Sequence, residues 1–181
     1  MAIPSPLSLA LGGIVVMISC MVHIAGAQNT PSDWVRLHNA ARLTVGVPPV
    51  SWDNSVAAYA SWYANQRRGD CQLVHSMGRY GENLYKGWGR EFTAEDAMRS
   101  WVNERQYYNC GSNSCVPGKV CGHYTQVMWS SSTKIGCARV KCNNGQIFMT
   151  CNYSPPGNFN GQRPYPCPRI VMPGELPSSD V

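Results

Sequence analysis

The sequence has little charge. None of the first 32 residues is Asp, Glu, Lys or Arg, and charged residues make up only 14% of the 181 positions. So low a charged fraction excludes a long charged coiled coil and a highly charged disordered chain. The hydrophobic fraction of 44% is enough for one domain with a buried core. The 17 Gly and 13 Pro predict that this domain contains many loops.

The sequence also lacks a strongly basic segment. The net charge is +5, but the longest run of Lys or Arg is the pair Arg67-Arg68. We therefore predict no nucleic-acid partner, because clustered basic residues are the usual electrostatic footprint of one. The mild positive charge is compatible with weak attraction to acidic cell walls or membranes, and equally with solubility alone.

Local catalytic motifs are missing as well. The chain contains no GxSxG elbow, no HExxH helix and no P-loop. It also shows no internal repeat. Because no motif assigns a reaction, we predict that the protein is not an enzyme.

The charge-free N-terminus has the pattern of a signal peptide. An apolar run extends from Leu7 to Ala25 and ends in Ala25-Gly26-Ala27, the small-x-small pattern that signal peptidase accepts. We predict a signal peptide over residues 1–27 and a mature chain that begins at Gln28. An uncleaved anchor is the alternative, because the run nearly reaches the roughly 20 residues of a membrane span. The cleavage pattern favours a secreted protein that is not transmembrane after cleavage.

The cysteines agree with secretion. Nine are present, and Cys20 falls in the predicted signal peptide. Eight cysteines in an oxidising compartment predict four disulfides, although their spacing alone allows roughly a hundred pairings. Zinc knuckles are not indicated, because the gaps between neighbouring cysteines do not fit. The eight are Cys71, Cys110, Cys115, Cys121, Cys137, Cys142, Cys151 and Cys167.

Three helices are predicted from capping residues and apolar spacing. Thr30 precedes Pro31, which is a favourable first helical residue, and Thr93 forms a near capping box with Asp96. Gly46 marks the end of the first helix. The predicted helices run from Thr30 to about Gly46, from about Asp53 to Arg68, and from Thr93 to Glu104.

A β-hairpin is predicted near the C-terminus. Two apolar, β-rich runs are joined by Asn143-Asn144-Gly145, whose residues tolerate positive φ. The glycine-rich stretch 78–89 and the cysteine loop 110–121 receive no element. Helices packed on a small, mostly antiparallel sheet predict an α+β fold or a three-layer α-β-α sandwich, stapled by disulfides. The hairpin runs extend from Ile135 to Cys142 and from Gln146 to Tyr153.

Four ionisable residues lie among apolar or glycine neighbours: His75, Glu82, Glu104 and His123. Two imidazoles and two carboxylates can form a shared polar site with the capacity to bind a metal. The alternative is that each residue makes structural hydrogen bonds. The two carboxylates could also be a glycosidase pair, which requires a separation of roughly 5 to 9.5 Å.

Several motifs in order along the chain resemble the CAP superfamily, which comprises cysteine-rich secretory, antigen 5 and pathogenesis-related proteins. Two C-terminal motifs, Cys151-Asn152-Tyr153-Ser154-Pro155-Pro156-Gly157-Asn158 and Gly161-Gln162-Arg163-Pro164-Tyr165, are similar to the plant pathogenesis-related protein 1 group, in its basic form with a C-terminal extension. The earlier motifs are His38-Asn39-Ala40-Ala41-Arg42, Ser51-Trp52-Asp53, Gly69-Asp70-Cys71, Gly81-Glu82-Asn83-Leu84 and Cys121-Gly122-His123-Tyr124-Thr125-Gln126-Val127-Met128-Trp129.

The resemblance implies a CAP domain over residues 28–165, followed by a C-terminal extension over 166–181. It implies the α-β-α sandwich and a secreted, defence-associated role. It further implies that His75, Glu82, Glu104 and His123 form a tetrad in a central cavity. In relatives the two histidines can bind a divalent cation, usually zinc, and no other cofactor is required. For His38 we favour a packing role.

The resemblance also implies three disulfides, namely Cys71–Cys142, Cys115–Cys121 and Cys137–Cys151. Cys110 and Cys167 lie outside that pattern. We predict that these two pair with each other and so tie the C-terminal tail to the cysteine loop.

The first functional expectation is binding of a sterol or another membrane lipid, which resembles the antifungal and anti-oomycete behaviour attributed to the family. The spacing of Tyr80, Tyr85 and Trp88 is similar to that of a caveolin-binding-type loop. The structural alternative is that these aromatic residues simply pack. A pathogen cell surface or wall is a further expected partner, and we expect a monomer.

The second expectation is a signalling precursor. Residues 155–165 match the family's PxGNxxxxxPY peptide, through Pro155, Gly157, Asn158, Pro164 and Tyr165. The usual acidic residue before the peptide is replaced by serine, and the chain continues sixteen residues past the tyrosine, so that release needs a second cut. A metal-dependent hydrolase built on the tetrad is the third expectation and ranks last, because no activated nucleophile or oxyanion donor is evident.

We expect the protein in the extracellular space, the apoplast of a plant. The vacuole is the alternative, because basic family members with C-terminal extensions are often vacuolar. The extension over residues 166–181 could then act as a sorting signal.

Overall fold

The computed structural model describes residues 29–167. The predicted signal peptide, Cys20 and all but the first two residues of the extension lie outside the described residues. Between residues 29 and 167, no helix is long and apolar enough to cross a membrane.

Helices and mostly short strands come first in the described chain, followed by a long hairpin and a final segment, residues 155–167. The helices are α1 (Pro31–Leu43), α2 (Asn54–Gln66), α3 (Ala94–Asn103) and α4 (Gly122–Val127), with a 3-10 turn over Glu104–Tyr107 directly after α3. The strands are β1 (Ser51–Trp52), β2 (Gly81–Gly87), β3 (Tyr108–Asn109), β4 (Ser114–Cys115), β5 (Lys134–Lys141) and β6 (Ile147–Ser154).

Capping residues determine where the first three helices begin. The Thr30 backbone N–H donates to Asp33 Oδ2 at 3.1 Å, and the Asp33 N–H donates back to Thr30 Oγ1 at 3.2 Å. Asp53 accepts hydrogen bonds at the start of α2, and Asp96 accepts one from the Thr93 N–H at 2.9 Å. These bonds satisfy donors that a helix N-terminus otherwise leaves free. All three helices predicted from the sequence are therefore confirmed.

The main sheet has four strands in the order β1-β5-β6-β2. β5 pairs antiparallel with β6, β6 pairs antiparallel with β2, and only β1 runs parallel to its neighbour β5. The prediction of a small, mostly antiparallel sheet is thus confirmed. The edge strand β2 lies in the glycine-rich stretch for which no element was predicted. A Cβ at Gly81 would lie 2.2 Å from Gln126 Oε1, so this glycine permits close packing inside a strand.

The sheet lies between two layers of helices. Alternate residues of β6 face opposite sides: Phe148 packs with Tyr63 and Ala64 of α2, and Met149 belongs to the core formed with α1, α3 and α4. The structure is therefore the predicted three-layer α-β-α sandwich. Gly136 on β5 lies directly against the backbone of α2, where a Cβ would be 2.0 Å from the Ala57 nitrogen.

Arg42 is a fully buried cation at the end of α1. Its Nε donates to the Pro48 carbonyl at 2.7 Å, and its Nη1 to the carbonyls of Val127 and Trp129 at 2.7 and 2.9 Å. Its Nη2 donates to the Ser132 carbonyl at 3.0 Å. Burial lowers the pKa of this guanidinium to about 10. Arg42 thus holds the segment between α4 and β5 against α1.

His38 is also fully buried, as a packing role requires. Its Nδ1 lies 2.8 Å from the Trp34 carbonyl and its Nε2 lies 2.9 Å from the Tyr153 hydroxyl. A carbonyl only accepts, so Nδ1 carries the proton and Nε2 accepts from the tyrosine. Burial in this apolar environment lowers the pKa of His38 to about 4.

The neutral state of His38 predicts acid sensitivity. The ordinary pKa of 6.5 applies in the unfolded chain, whereas the folded chain resists protonation until about pH 4. The stability due to this group is complete above pH 6.5 and falls as the pH drops towards 4, by up to ~3 kcal/mol. Urea unfolding between pH 7 and 4.5 should show this loss.

The matched variant for this prediction is His38→Gln. The variant is less stable at every pH, but it should lose less stability than the wild type between pH 7 and 4.5, because glutamine does not titrate. An equal pH dependence in the two proteins would contradict the prediction.

Four disulfides staple the fold. Cys71–Cys142 ties the segment after α2 to the end of β5, and Cys137–Cys151 joins β5 to β6. Cys115–Cys121 closes the segment between β4 and α4. Cys110–Cys167 ties the C-terminal segment to the cysteine loop. All eight cysteines of the described range are paired, so none of them is a free thiol that could act as a nucleophile.

Candidate functional site

A cleft of about 590 Å³ opens where the edge strand β2 begins. The segment from His75 to Tyr80 forms one wall, and the start of α4 with the segment after β6 forms the other. Gly81, Glu82 and Asn83 of β2 lie between these walls. A concave site with a few polar groups is the usual form of a ligand-binding site.

His75 and Glu82 form the first polar pair of the cleft. His75 Nδ1 lies 2.8 Å from Glu82 Oε1, which also accepts the Ser76 backbone N–H at 2.9 Å. Burial by itself would raise the pKa of Glu82, but hydrogen bonds from His75, Ser76 and Asn152 outweigh it and lower that pKa. The hydrogen bond with Glu82 in turn raises the pKa of His75.

His123 and Glu104 form the second pair. His123 Nδ1 lies 2.6 Å from Glu104 Oε1, and Glu104 Oε2 accepts the backbone N–H groups of His123 and Tyr124 at 2.9 and 3.2 Å. The carboxylate therefore caps the first turn of α4 and orients the imidazole with the same group. The ring of His123 also stacks on Trp101, with centroids 6.5 Å apart.

The two pairs are alike in chemistry, and each carboxylate bonds to its own histidine. In each, the carboxylate engages Nδ1, so that Nε2 is the nitrogen left for another partner. Metal-ligating histidines often have such a carboxylate partner. Within the described range, however, no group of three or more His, Cys, Asp or Glu is placed to hold a metal ion. The four residues thus form two His–Glu pairs and not one cluster of donors.

Two buried amides connect the pairs to the fold, and sequence reasoning did not single them out. The Asn83 Nδ2 donates to the His123 carbonyl at 3.0 Å, and Gln126 Oε1 accepts the Gly157 N–H at 3.1 Å. Both side chains are almost fully buried. In the sequence, the sign that could have identified them is an amide side chain next to apolar residues. A polar side chain that is buried in the core almost always has a hydrogen-bond partner.

The three aromatic residues expected to bind lipid lie in different environments. Tyr80 lines the cleft, and its ring packs edge-on against Tyr59 at 5.2 Å. Tyr85 packs on Phe92 at 5.8 Å against the core. Trp88 follows β2 and is 67% exposed. Of the three, Tyr80 is the residue that the structure brings to the cleft.

Apolar side chains surround the mouth of the cleft. Met77 is 90% exposed and Val120 is 61% exposed, and both line the cleft from opposite walls. Leu73 and Val74 are also exposed and directly precede His75. The cleft therefore combines an apolar rim with His75, Glu82 and His123, and Glu104 orients His123 from outside the lining.

Residues 155–165, expected as a peptide precursor, are packed into the fold at several points. Asn158 Nδ2 donates to the Gly122 carbonyl at 2.8 Å, and Gly157 and Asn158 form part of the cleft wall. Tyr165 is buried, and its hydroxyl lies 2.8 Å from that of Tyr124. The buried Pro164 accepts the Ser130 N–H at 2.7 Å.

The His75–Glu82 pair gives a site prediction. Glu82→Gln removes the negative charge that stabilises the imidazolium, so the pKa of His75 should fall from its raised value. NMR titration of the imidazole signals measures this directly, because the sequence contains only four histidines. Glu104→Gln is the control and should leave His75 unchanged. A His75 pKa that is insensitive to Glu82→Gln would contradict the pairing.

The sequence of this α-β-α sandwich matches a known protein class. The model of the cysteine-rich secretory protein family, CAP, matches residues 35–153. The chain belongs to this family. Its relatives at 50–60% identity are plant pathogenesis-related 1 proteins, which confirms the resemblance seen in the sequence.

Three comparisons show the extent of the similarity. The chain is 60% identical over 159 residues to "Pathogenesis-related protein PR-1 type" of Sambucus nigra, with 87% of this chain and 94% of the relative covered. It is 52% identical to "Basic form of pathogenesis-related protein 1" of Nicotiana tabacum, with 86% of this chain and 90% of the relative covered. The solved structure of Schistosoma mansoni venom allergen-like protein 4 superposes with a TM-score of 0.60 at 26% identity. The superposition covers 76% of this chain and 94% of that structure.

Proposed function

We propose that this pathogenesis-related 1 type protein is a secreted plant defence protein that acts by binding a sterol or another membrane lipid in the cleft beside β2. The relatives support the role in plant defence by their names. The observation that carries the lipid proposal is the exposed apolar rim of Met77 and Val120 around a polar interior.

A sterol suits this distribution of polarity. Its rigid apolar body would cover exposed rim side chains, and each square ångström of apolar surface removed from water contributes about 25 cal/mol. Its single hydroxyl can donate to an imidazole Nε2 or accept a hydrogen bond from it, which matches the one nitrogen left free in each pair. Tyr80, on the same wall as Met77, would contact the ring system.

Zinc is not required by this proposal. Two imidazole nitrogens fall short of the three protein ligands of a catalytic zinc site and the four of a structural one. We therefore derive no hydrolytic step from the tetrad, and lipid binding ranks above the hydrolase hypothesis.

Equilibrium binding of a labelled sterol to the disulfide-bonded chain from Gln28 to Val181 tests the proposal, with a fatty acid as a second ligand. Met77→Ser combined with Val120→Ser should weaken sterol binding about tenfold, because about 1.4 kcal/mol of apolar contact is lost. Leu43→Ser is the matched control, since Leu43 is equally exposed at the end of α1 and does not line the cleft.

The outcomes of this test are distinct. Saturable binding that unlabelled sterol competes away, and that the rim variant alone weakens, supports the proposal. An absence of binding by correctly disulfide-bonded protein contradicts it.

Tyr80→Ala should weaken binding more than Tyr85→Ala or Trp88→Ala, because only the first of these residues lines the cleft.

A defence-signalling peptide from residues 155–165 is the second candidate. Its support is the exposure of the central part of the segment, residues 158–163, to proteases. Peptide mapping of the protein recovered from infected tissue tests this candidate. Detection of a fragment that begins at Pro155 and ends at Tyr165 would favour it over lipid binding.

The proposed location is the extracellular space. Four disulfides fit a protein that passes through an oxidising compartment. The plant apoplast is the proposed site and the vacuole is the alternative. A fluorescent fusion with and without residues 166–181 distinguishes them.

A further inference from the structure

A second depression lies beside the cleft, with a volume of about 290 Å³. It is lined by the first turn of α4, by Trp129, by Asn113 of the cysteine loop, and by residues 158–162 with Pro164. Among the described residues, every side chain that lines it is uncharged. The depression therefore differs from the neighbouring cleft, whose lining includes two histidines and a carboxylate.

The walls of the depression are fixed by hydrogen bonds. Asn158 Oδ1 accepts from the Thr125 hydroxyl at 2.7 Å, and Asn113 Nδ2 donates to the Gln162 carbonyl at 3.2 Å. Arg163, the nearest cation in sequence, donates from Nη2 to the Gly111 carbonyl at 2.9 Å and is not part of the lining. The depression is therefore preformed and keeps its neutral character.

Three side chains remain available to a ligand. Phe159 is 49% exposed, and its ring is held edge-to-face against the buried Trp129 at 6.1 Å. Asn160 and Gln162 are exposed, and within residues 29–167 their side-chain amides make no hydrogen bond; the hydrogen bonds of Gln162 involve only its backbone N–H and carbonyl. An exposed aromatic ring thus lies beside two free amides, each of which can donate and accept.

We propose that this depression binds a neutral oligosaccharide. The C–H face of a sugar ring can pack on Phe159, and the two amides can pair with neighbouring hydroxyls as donor and acceptor. An acidic sugar or a phosphate would lack a cation in the lining, and a lipid would leave the amides without partners. The site is separate from the lipid proposal, which does not use Phe159, Asn160 or Gln162.

Calorimetric titration of the disulfide-bonded protein with laminarihexaose and with chitohexaose tests the proposal, with hexagalacturonate as the charged probe. At least one neutral hexamer should bind, and the charged hexamer should bind more weakly. Phe159→Ala should weaken binding by about 2- to 12-fold, the range expected for loss of an aromatic contact. Trp88→Ala is the matched control at an exposed aromatic residue outside the depression.

A second variant keeps the test independent of folding. Phe159 packs on Trp129, whereas the side chains of Asn160 and Gln162 are exposed and have no hydrogen bond to lose, so Asn160→Ala with Gln162→Ala should fold normally and weaken binding by about tenfold or more. Amide NMR shifts on adding the hexamer should be confined to residues 158–162 and their neighbours. Gly122 and Asn158 line both the cleft and the depression, whereas the lining residues between 75 and 83 belong to the cleft alone. The proposal is overturned if neither hexamer binds, if both variants bind as the wild type does, or if the shifts map to residues 75–83.

The sterol proposal and the oligosaccharide proposal are tested independently of each other. Loss of sterol binding in the Met77 and Val120 variant leaves the depression intact, and the Asn160 and Gln162 variant leaves the rim of the cleft intact. Each proposal can therefore be rejected without the other.

Discussion

Arg42→Lys should lower the free energy of unfolding by about 3 kcal/mol or more, since hydrogen bonds from a buried charged donor contribute about 1.5 to 3 kcal/mol each. The guanidinium donates to four carbonyls in different directions. A lysine ammonium is a compact donor at the end of a flexible chain and cannot reproduce this planar arrangement. At least two carbonyls would then be buried without a donor.

Urea unfolding of the disulfide-bonded protein measures this loss. Arg68→Lys is the matched control, because Arg68 is exposed after α2 and should change stability by less than about 0.5 kcal/mol. Arg42→Met should also be strongly destabilising, since it leaves all four carbonyls unpaired, although it removes a buried charge. A change below about 1 kcal/mol for Arg42→Lys would contradict the role assigned to the guanidinium.

The position of Arg42 connects stability to the site. Its partner Val127 is the last residue of α4, the helix that carries His123, and its partner Trp129 follows two residues later. Loosening this segment should displace the His123 imidazole from Glu104. The Arg42 variants are therefore expected to weaken ligand binding in the cleft even though Arg42 does not line it.

Gly136→Ala should destabilise the protein by about 3 kcal/mol, the upper part of the range for forcing an extra methyl into a packed core. A Cβ at this position would lie 2.0 Å from the Ala57 nitrogen and 2.5 Å from the Val56 carbonyl carbon. These are backbone atoms of α2, so no side chain can turn away to make room. The helix would have to move off the sheet.

The matched control for Gly136 is Gly69→Ala. A Cβ at Gly69 meets nothing within 4 Å, and the substitution should be neutral or slightly stabilising, because it restricts the unfolded chain. Thermal unfolding of the two variants and the wild type compares them directly. Equal stability of Gly136→Ala and Gly69→Ala would show that α2 can move away from β5 at little cost.

The sequence predicted those elements whose signals are local. The capping residues Thr30, Asp53 and Thr93 mark helix starts within one chain segment, and the turn Asn143-Asn144-Gly145 joins two neighbouring runs. Strand β2 was not predicted because its pairing partner is β6, sixty or more residues away along the chain. Its glycines suggested a loop, whereas they serve close packing.

The candidate site was predictable in identity but not in geometry. The resemblance supplied His75, Glu82, Glu104 and His123 as one set, whereas the structure arranges them as two His–Glu pairs, with the Asn83 amide next to Glu82 donating to the His123 carbonyl. The aromatic residues show the same limit. Their spacing resembles that of a binding loop, but Tyr85 lies within strand β2 and packs against Phe92, whereas Trp88 follows the strand and is exposed.

The Cys110–Cys167 disulfide bears on how a peptide could leave this protein. A protease that cuts only before Pro155 would produce a nicked molecule whose two pieces stay covalently joined, because the bridging cysteine lies two residues beyond Tyr165. Such a product would migrate as one band without reductant and as two bands with it. Release of the peptide thus requires two cuts, one before Pro155 and one between Tyr165 and Cys167. A single protease of narrow specificity would leave both pieces joined in one molecule of nearly unchanged mass.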